Sequence, residues 1–136
     1  MKNLLVGYLA ALASLAVLDG LWLGVVSREF YKARIGQLLL EQPVWRIAIV
    51  FYLIHAVGIV AFAVSPALTA GSWTTAALYG ALFGFCAYAI YDITNLATLR
   101  GWSMAVSLVD LAWGAVATAA AAAVAAFLAV PAVAAP

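Results

Sequence analysis

Apolar residues run almost unbroken through four stretches of this chain, and the polar positions interrupting them are few enough to take one at a time. The stretches are Leu4–Val26, Ile47–Val64, Thr75–Leu99 and Met104–Val130. Each is close to the 20 or so apolar residues a helix needs to cross the hydrocarbon core of a bilayer. Backbone groups in hydrocarbon must be bonded within their own segment, so each stretch reads as a helix. The pattern predicts an all-α membrane protein: four transmembrane helices in an antiparallel bundle, forming one domain over residues 1–130. Residues 131–136, Pro-Ala-Val-Ala-Ala-Pro, read as a disordered tail. The first stretch follows Lys2 and contains small residues, as a signal peptide would. It runs on to Val26 without a convincing cleavage site and carries Asp19, so it reads as a retained helix.

Composition agrees with the pattern. Of 136 residues, 69% are hydrophobic and 8% charged, where a soluble domain has charges on about a quarter of its residues. So few charges cannot cover a water-facing surface, and the partner the chain requires is the lipid bilayer. The net charge of +1 comes without a basic run, so no nucleic-acid partner is expected. Cys86 is the sole cysteine and has no partner for an intramolecular disulfide.

The connections set the orientation. Arg28, Lys32, Arg34 and Arg46 fall between the first two stretches and Arg100 between the last two, whereas Ser65–Thr74 carries no charge. The positive-inside rule then puts connections one and three in the cytoplasm and both termini outside, in a multi-pass protein of a bacterial inner membrane. Trp45, Trp73 and Trp102 mark span ends, where indole rings prefer to sit. Within the first connection, Tyr31, Ile35 and Leu38 repeat at helical spacing, with Arg28 and Lys32 on another face and Pro43 ending the pattern. This reads as a short interfacial helix between helices 1 and 2, or as an ordinary linker with stop-transfer charges.

Against this background Asp19, Asp92 and Asp110 stand out, because an ionisable side chain in hydrocarbon costs roughly 2.5 kcal/mol or more. Asp19 lies nine residues before Arg28, Asp92 eight before Arg100, Asp110 ten after Arg100, and His55 nine after Arg46. At 1.5 Å per residue all four groups fall about 12–15 Å from the cytoplasmic basic residues, in one slab. Facing supports convergence. Gly80, Gly84, Tyr88, Asp92 and Asn95 form one stripe on the third stretch, and Ser103, Ser107, Asp110 and Gly114 another on the fourth. Asp19-Gly-Leu-Trp22 and Asp110-Leu-Ala-Trp113 share a D-x-x-W form, and Asn95 stands at the same offset from Asp92, so an indole or amide one turn away could donate to each carboxylate. Because the first and fourth stretches run oppositely, Trp22 and Trp113 are expected on opposite sides of the aspartate layer.

The run Tyr88-Ala-Ile-Tyr-Asp-Ile-Thr-Asn-Leu-Ala-Thr-Leu-Arg-Gly-Trp102 resembles the hallmark of a bacterial family of predicted membrane proteins, domain of unknown function 2177. The likeness extends through Leu18–Gly24, Phe51–Gly58 and Val109–Gly114, nearly the whole chain apart from its Ala-rich end. It implies a four-helix inner-membrane protein and supplies no activity. It adds Tyr88 and Tyr91 to the layer. Position 55 is typically Tyr in that family, which ranks His55 below the aspartates.

Three function classes fit. A proton-linked binding or transport protein for a small or apolar substrate would use buried carboxylates that share protons. Small four-helix exporters work this way by analogy, as homodimers, since four helices enclose little space. A membrane-embedded lipid-modifying enzyme could hold Mg, Mn or Fe on the carboxylates, but no Glu-x-x-His pair, His cluster or cysteine-based metal motif occurs, so no metal ligands are assigned and the cofactor stays unknown. A structural or assembly subunit would pair its aspartates with a partner membrane subunit. The residues put forward for substrate or proton binding are Asp19, Asp92, Asp110, Asn95, Tyr88, Tyr91, Trp22, Trp113 and His55.

Overall fold

The computed structural model describes residues 2–129, and the expected tail at 131–136 lies outside the described residues. Four helical segments among them are long and apolar enough to cross a membrane: Asn3–Val26, Trp45–Ala70, Trp73–Thr98 and Met104–Ala129. The first is α1 (Lys2–Leu21), continued by a π-helical turn, Trp22–Val26. A short helix, α2 (Arg28–Ile35), follows at once. The second span joins α3 (Trp45–Ile59), a π-helical segment at Val60–Val64 and α4 (Ser65–Ala70). The last two spans are single helices, α5 (Trp73–Thr98) and α6 (Met104–Ala129).

Of the two readings of the first connection, the short helix is the one present, and it stops at Ile35. A 3₁₀ turn at Gly36–Leu38 follows it, and only Ile35 of its apolar face is buried. The second span corrects the sequence reading more sharply. Val64 was expected to end it and Pro66 to lie in a loop, yet the helix runs on to Ala70. Proline lacks an N–H and its ring clashes with the carbonyl four residues back. Here that carbonyl belongs to Phe62, inside the π-helical segment, where the regular bonding has already been rearranged. The turn comes instead at Gly71, whose φ of 63° is left-handed and closes the helix; the Ser72 N–H bonds the Ala67 carbonyl at 3.1 Å.

Helix α6 is the scaffold of the bundle, packing along both α5 and α1. Its alanine-rich half supplies Ala121, Ala122, Ala125, Ala126 and Ala129 to the core, against Ala11 and Leu15 of α1 and Ile59, Ala63 and Val64 of the second span. In lipid no hydrophobic force drives helices together, so small residues that admit close backbone contact carry the association. The α5–α6 seam takes this furthest. A methyl group at Gly80 would meet the Thr118 carbonyl and Ala122, one at Gly84 would meet the Gly114 carbonyl and Thr118, and one at Gly114 would meet the Tyr88 ring. Outward faces are apolar, with Leu78, Leu82, Val116 and Phe127 exposed as lipid-facing residues would be.

The second span packs unevenly. His55, Ala56, Gly58, Ile59, Ala63, Val64 and Ala67 are buried, while Trp45–Ile54 contributes no buried residue. Its first half is therefore packed more loosely, touching the bundle through Tyr52 and through the Leu53 carbonyl, which accepts from the Tyr8 hydroxyl at 3.4 Å.

The seam makes a direct prediction. Gly84→Val should destabilise the protein by about 1–3 kcal/mol, the cost of overpacking a close contact. Gly20→Ala, where nothing lies within 4 Å of the added carbon, should be neutral or slightly stabilising. Unfolding in SDS–lipid micelles, followed by helical circular dichroism, measures both.

Candidate functional site

Beside the loosely packed half of the second span lies a cavity of about 670 Å³. Its walls come from α1, α3 and α5, with α6 behind and α2 at the Arg28 end. Of the residues put forward from sequence, Asp19, Trp22, Tyr88, Tyr91, Asp110 and Trp113 line it; Asp92, His55 and Asn95 do not.

The lining residues are joined by a relay of hydrogen bonds between elements. The Trp113 indole N–H on α6 donates to Asp19 Oδ1 on α1 at 2.8 Å. Trp113 stacks on Trp22 with ring centroids 4.3 Å apart and planes 7° from parallel. The Trp22 indole N–H donates to the Tyr31 hydroxyl at 3.1 Å, and that hydroxyl donates to Asp110 Oδ1. Tyr52 of α3 lies close to Asp19.

This differs from the expected local pairing. Neither D-x-x-W indole bonds the carboxylate of its own motif: Trp113 serves Asp19 across the helix pair, and Trp22 serves Tyr31. The two indoles also lie side by side rather than on opposite sides of a flat layer. Because their helices run oppositely, Asp19 and Asp110 fall on either side of the stacked rings. The layer is thus staggered by about a turn at each carboxylate, some 4.5 Å for three residues.

Asp92 is the exception within the layer. It is 0% exposed, and no donor meets either of its oxygens in full hydrogen-bond geometry; among the described residues these are the buried side-chain atoms left in that state. Its polar neighbours are Ser107 and Asp110 on α6. Ser107 accepts the Trp102 indole N–H at 2.9 Å, which leaves its own hydroxyl proton free to point at Asp92. The glycine seam explains how Asp92 came to be enclosed: it stands two turns beyond Gly84 on the face of α5 that meets α6.

His55 and Asn95 fall elsewhere. His55 is 5% exposed and ring-stacked with Phe51 and Phe83, and its Nε2 pairs with the Thr118 hydroxyl at 3.1 Å. It ties the second span to α6 and makes no bond to an aspartate. Asn95 is half-buried beside Tyr91. Tyr91 is exposed on one side and packs edge-on against Trp102. Sequence reasoning missed Tyr31 and Ser107 as parts of the site, and it left Tyr52 out of the set. Tyr31 had a signal: a phenol, able to donate, on the apolar face of a short helix beside the layer. Among the described residues no three His, Cys, Asp or Glu side chains cluster so as to hold a metal ion.

A family model described as "Predicted membrane protein (DUF2177)" matches residues 4–127, and the chain belongs to that family. No curated protein and no solved structure matches it.

The relay predicts a graded response. Trp113→Phe keeps a ring against Trp22 but removes the donor to Asp19, and should cost about 0.6 kcal/mol, the average for such bonds in membranes. Tyr31→Phe breaks two bonds in the relay and should cost more, about 1–3 kcal/mol. Burial, and then the bond to Asp110, hold the Tyr31 hydroxyl above the ordinary phenol range. Its stabilisation should therefore be constant below about pH 10, where the unfolded phenol is still protonated, and shrink as pH rises further. Micelle unfolding of wild type and Tyr31→Phe across alkaline pH checks the sign.

Proposed function

We propose that this family member is a binding protein of the membrane, in which a proton held by Asp92 and Asp110 is exchanged as a small or apolar substrate enters the neighbouring cavity. That exchange is the binding step of a proton-linked carrier. The reading takes the Arg28 end as cytoplasmic, following the basic residues of connections one and three in a bacterial inner membrane.

The observation that carries it is Asp92. Asp19 and Asp110 each receive a donor from another element, which a purely structural role would explain. Asp92 is enclosed with the Ser107 hydroxyl and the Asp110 carboxyl as its polar neighbours, and joins no indole or phenol donor. An ionised carboxylate enclosed there, facing one hydroxyl and a second carboxyl, loses several kcal/mol of solvation with little in return. Held as an acid beside Asp110, it avoids that cost, and the two groups titrate as one unit. Asp110 belongs at once to this pair and to the cavity wall, so it connects the proton to whatever occupies the cavity. Packing alone would be met more cheaply by the glycine and alanine that fill the rest of the seam.

Infrared difference spectroscopy of the reconstituted protein across a pH step tests this without a ligand. A protonated-carboxyl band should appear in wild type and vanish in Asp92→Asn, with the helical amide bands unchanged. Absence of the band from wild type would overturn the proposal.

A further inference from the structure

The cavity has three properties that together constrain its occupant. Its wall is mainly apolar, with Leu23, Ile47, Phe51 and Ala87 among the lining residues. Its acidic groups are two carboxylates, Asp19 and Asp110; an indole and a phenol donor respectively reach Oδ1 of each, with Tyr52 beside Asp19 and Asp92 beside Asp110. Its basic group is Arg28, an exposed residue at the α2 end. The polar region is also aromatic, since Trp22, Tyr31, Tyr52 and Tyr88 all line it. Ring faces attract cations, most strongly where water is excluded.

From this charge complementarity we infer that the site takes a monovalent organic cation with an apolar body. Its positive charge lies beside Asp19 and Asp110 among the aromatic rings, and its apolar part lies against α1, α3 and α5. The inference rests on the proton-exchange reading and names its substrate class. The volume of about 670 Å³ falls within the roughly 300–1,000 Å³ of small-molecule sites. Entry is lateral, past the unburied first half of the second span. An anion would meet two carboxylates, and a neutral hydrocarbon would leave them facing apolar surface; a cation satisfies both walls. The exchange also balances. As the cation enters, the carboxyl O–H shared by the Asp92–Asp110 pair breaks, the proton leaves to water, and the carboxylate keeps the electron pair and faces the incoming charge. One positive charge replaces another, so the low-dielectric interior gains no net charge.

The test titrates the purified full chain with tetraphenylphosphonium and, separately, with tetraphenylborate, an anion of the same shape. Tryptophan fluorescence reports occupancy, because Trp22 and Trp113 line the cavity. Phosphonium should quench saturably and borate bind at least about tenfold more weakly. Asp19→Asn and Asp110→Asn should each weaken phosphonium about tenfold, or about 1.4 kcal/mol. Equal binding of the two ions, binding of neither, or unchanged affinity in both folded variants overturns the inference. If a variant fails to fold, the wild-type comparison between the ions decides alone. The infrared measurement separates the two readings. A wild type that shows the carboxyl band but binds neither ion keeps the proton and loses the cation. One that binds phosphonium without the band does the reverse.

Discussion

Close approach of α5 and α6 is the constraint on which the rest of this protein depends. Gly80, Gly84 and Gly114 leave no room for a methyl group, so the two backbones meet almost directly, with the Tyr88 ring seated over Gly114. That contact makes α6 the scaffold on which α1 and the second span then pack. It also fixes the fate of the polar residues further along the same faces. Asp92 and Ser107 are enclosed because they continue the seam, and Asp110 stands at its edge, where the seam opens into the cavity.

The carboxylates then divide by what surrounds them. Asp19 and Asp110 lie where indole and phenol donors from other elements can reach them, and those bonds connect α1, α2 and α6 through one stacked pair of rings. In hydrocarbon such bonds add little net stability, since the unfolded chain also finds partners. Their geometric effect is larger: they pin α2 across the end of the bundle and orient two carboxylates toward a shared space. Asp92 takes no part in this tie, and the chemistry we propose begins from that difference.

The cavity exists because one helix is packed closely over only half its length. His55 marks the division, bound to Thr118 and stacked with Phe51 and Phe83, with the buried face of the second span beginning there. Large apolar residues before it face outward, as lipid permits at no cost. Two π-helical segments flank this region, Trp22–Val26 just after Asp19 and Val60–Val64 just after the His55 turn. Such segments are frequent at functional sites because they re-aim side chains without breaking a helix. Here the first places Trp22 against Trp113, and the second lets the helix pass Pro66.

The chain alone determined four spans and the small-residue stripe of α5, because hydropathy and helical period are local properties; the short helix near Arg28 it offered beside a plain linker. It also marked the few polar residues that interrupt those spans. It did not determine who bonds whom. The D-x-x-W motifs suggest pairing within one helix, yet the donors cross between helices, since an indole reaches farther than one turn and the antiparallel neighbour brings a carboxylate to it. Proline at position 66 read as a loop because its cost is judged against a regular helix, and the π-helical segment that removes the cost has no plain sequence mark. Tyr31 joined the site only when α2 folded back over the bundle. The enclosure of Asp92, the looser packing of the second span's first half and the cavity between them are properties of packing. No single segment carries them, because each depends on how closely two or three helices can approach.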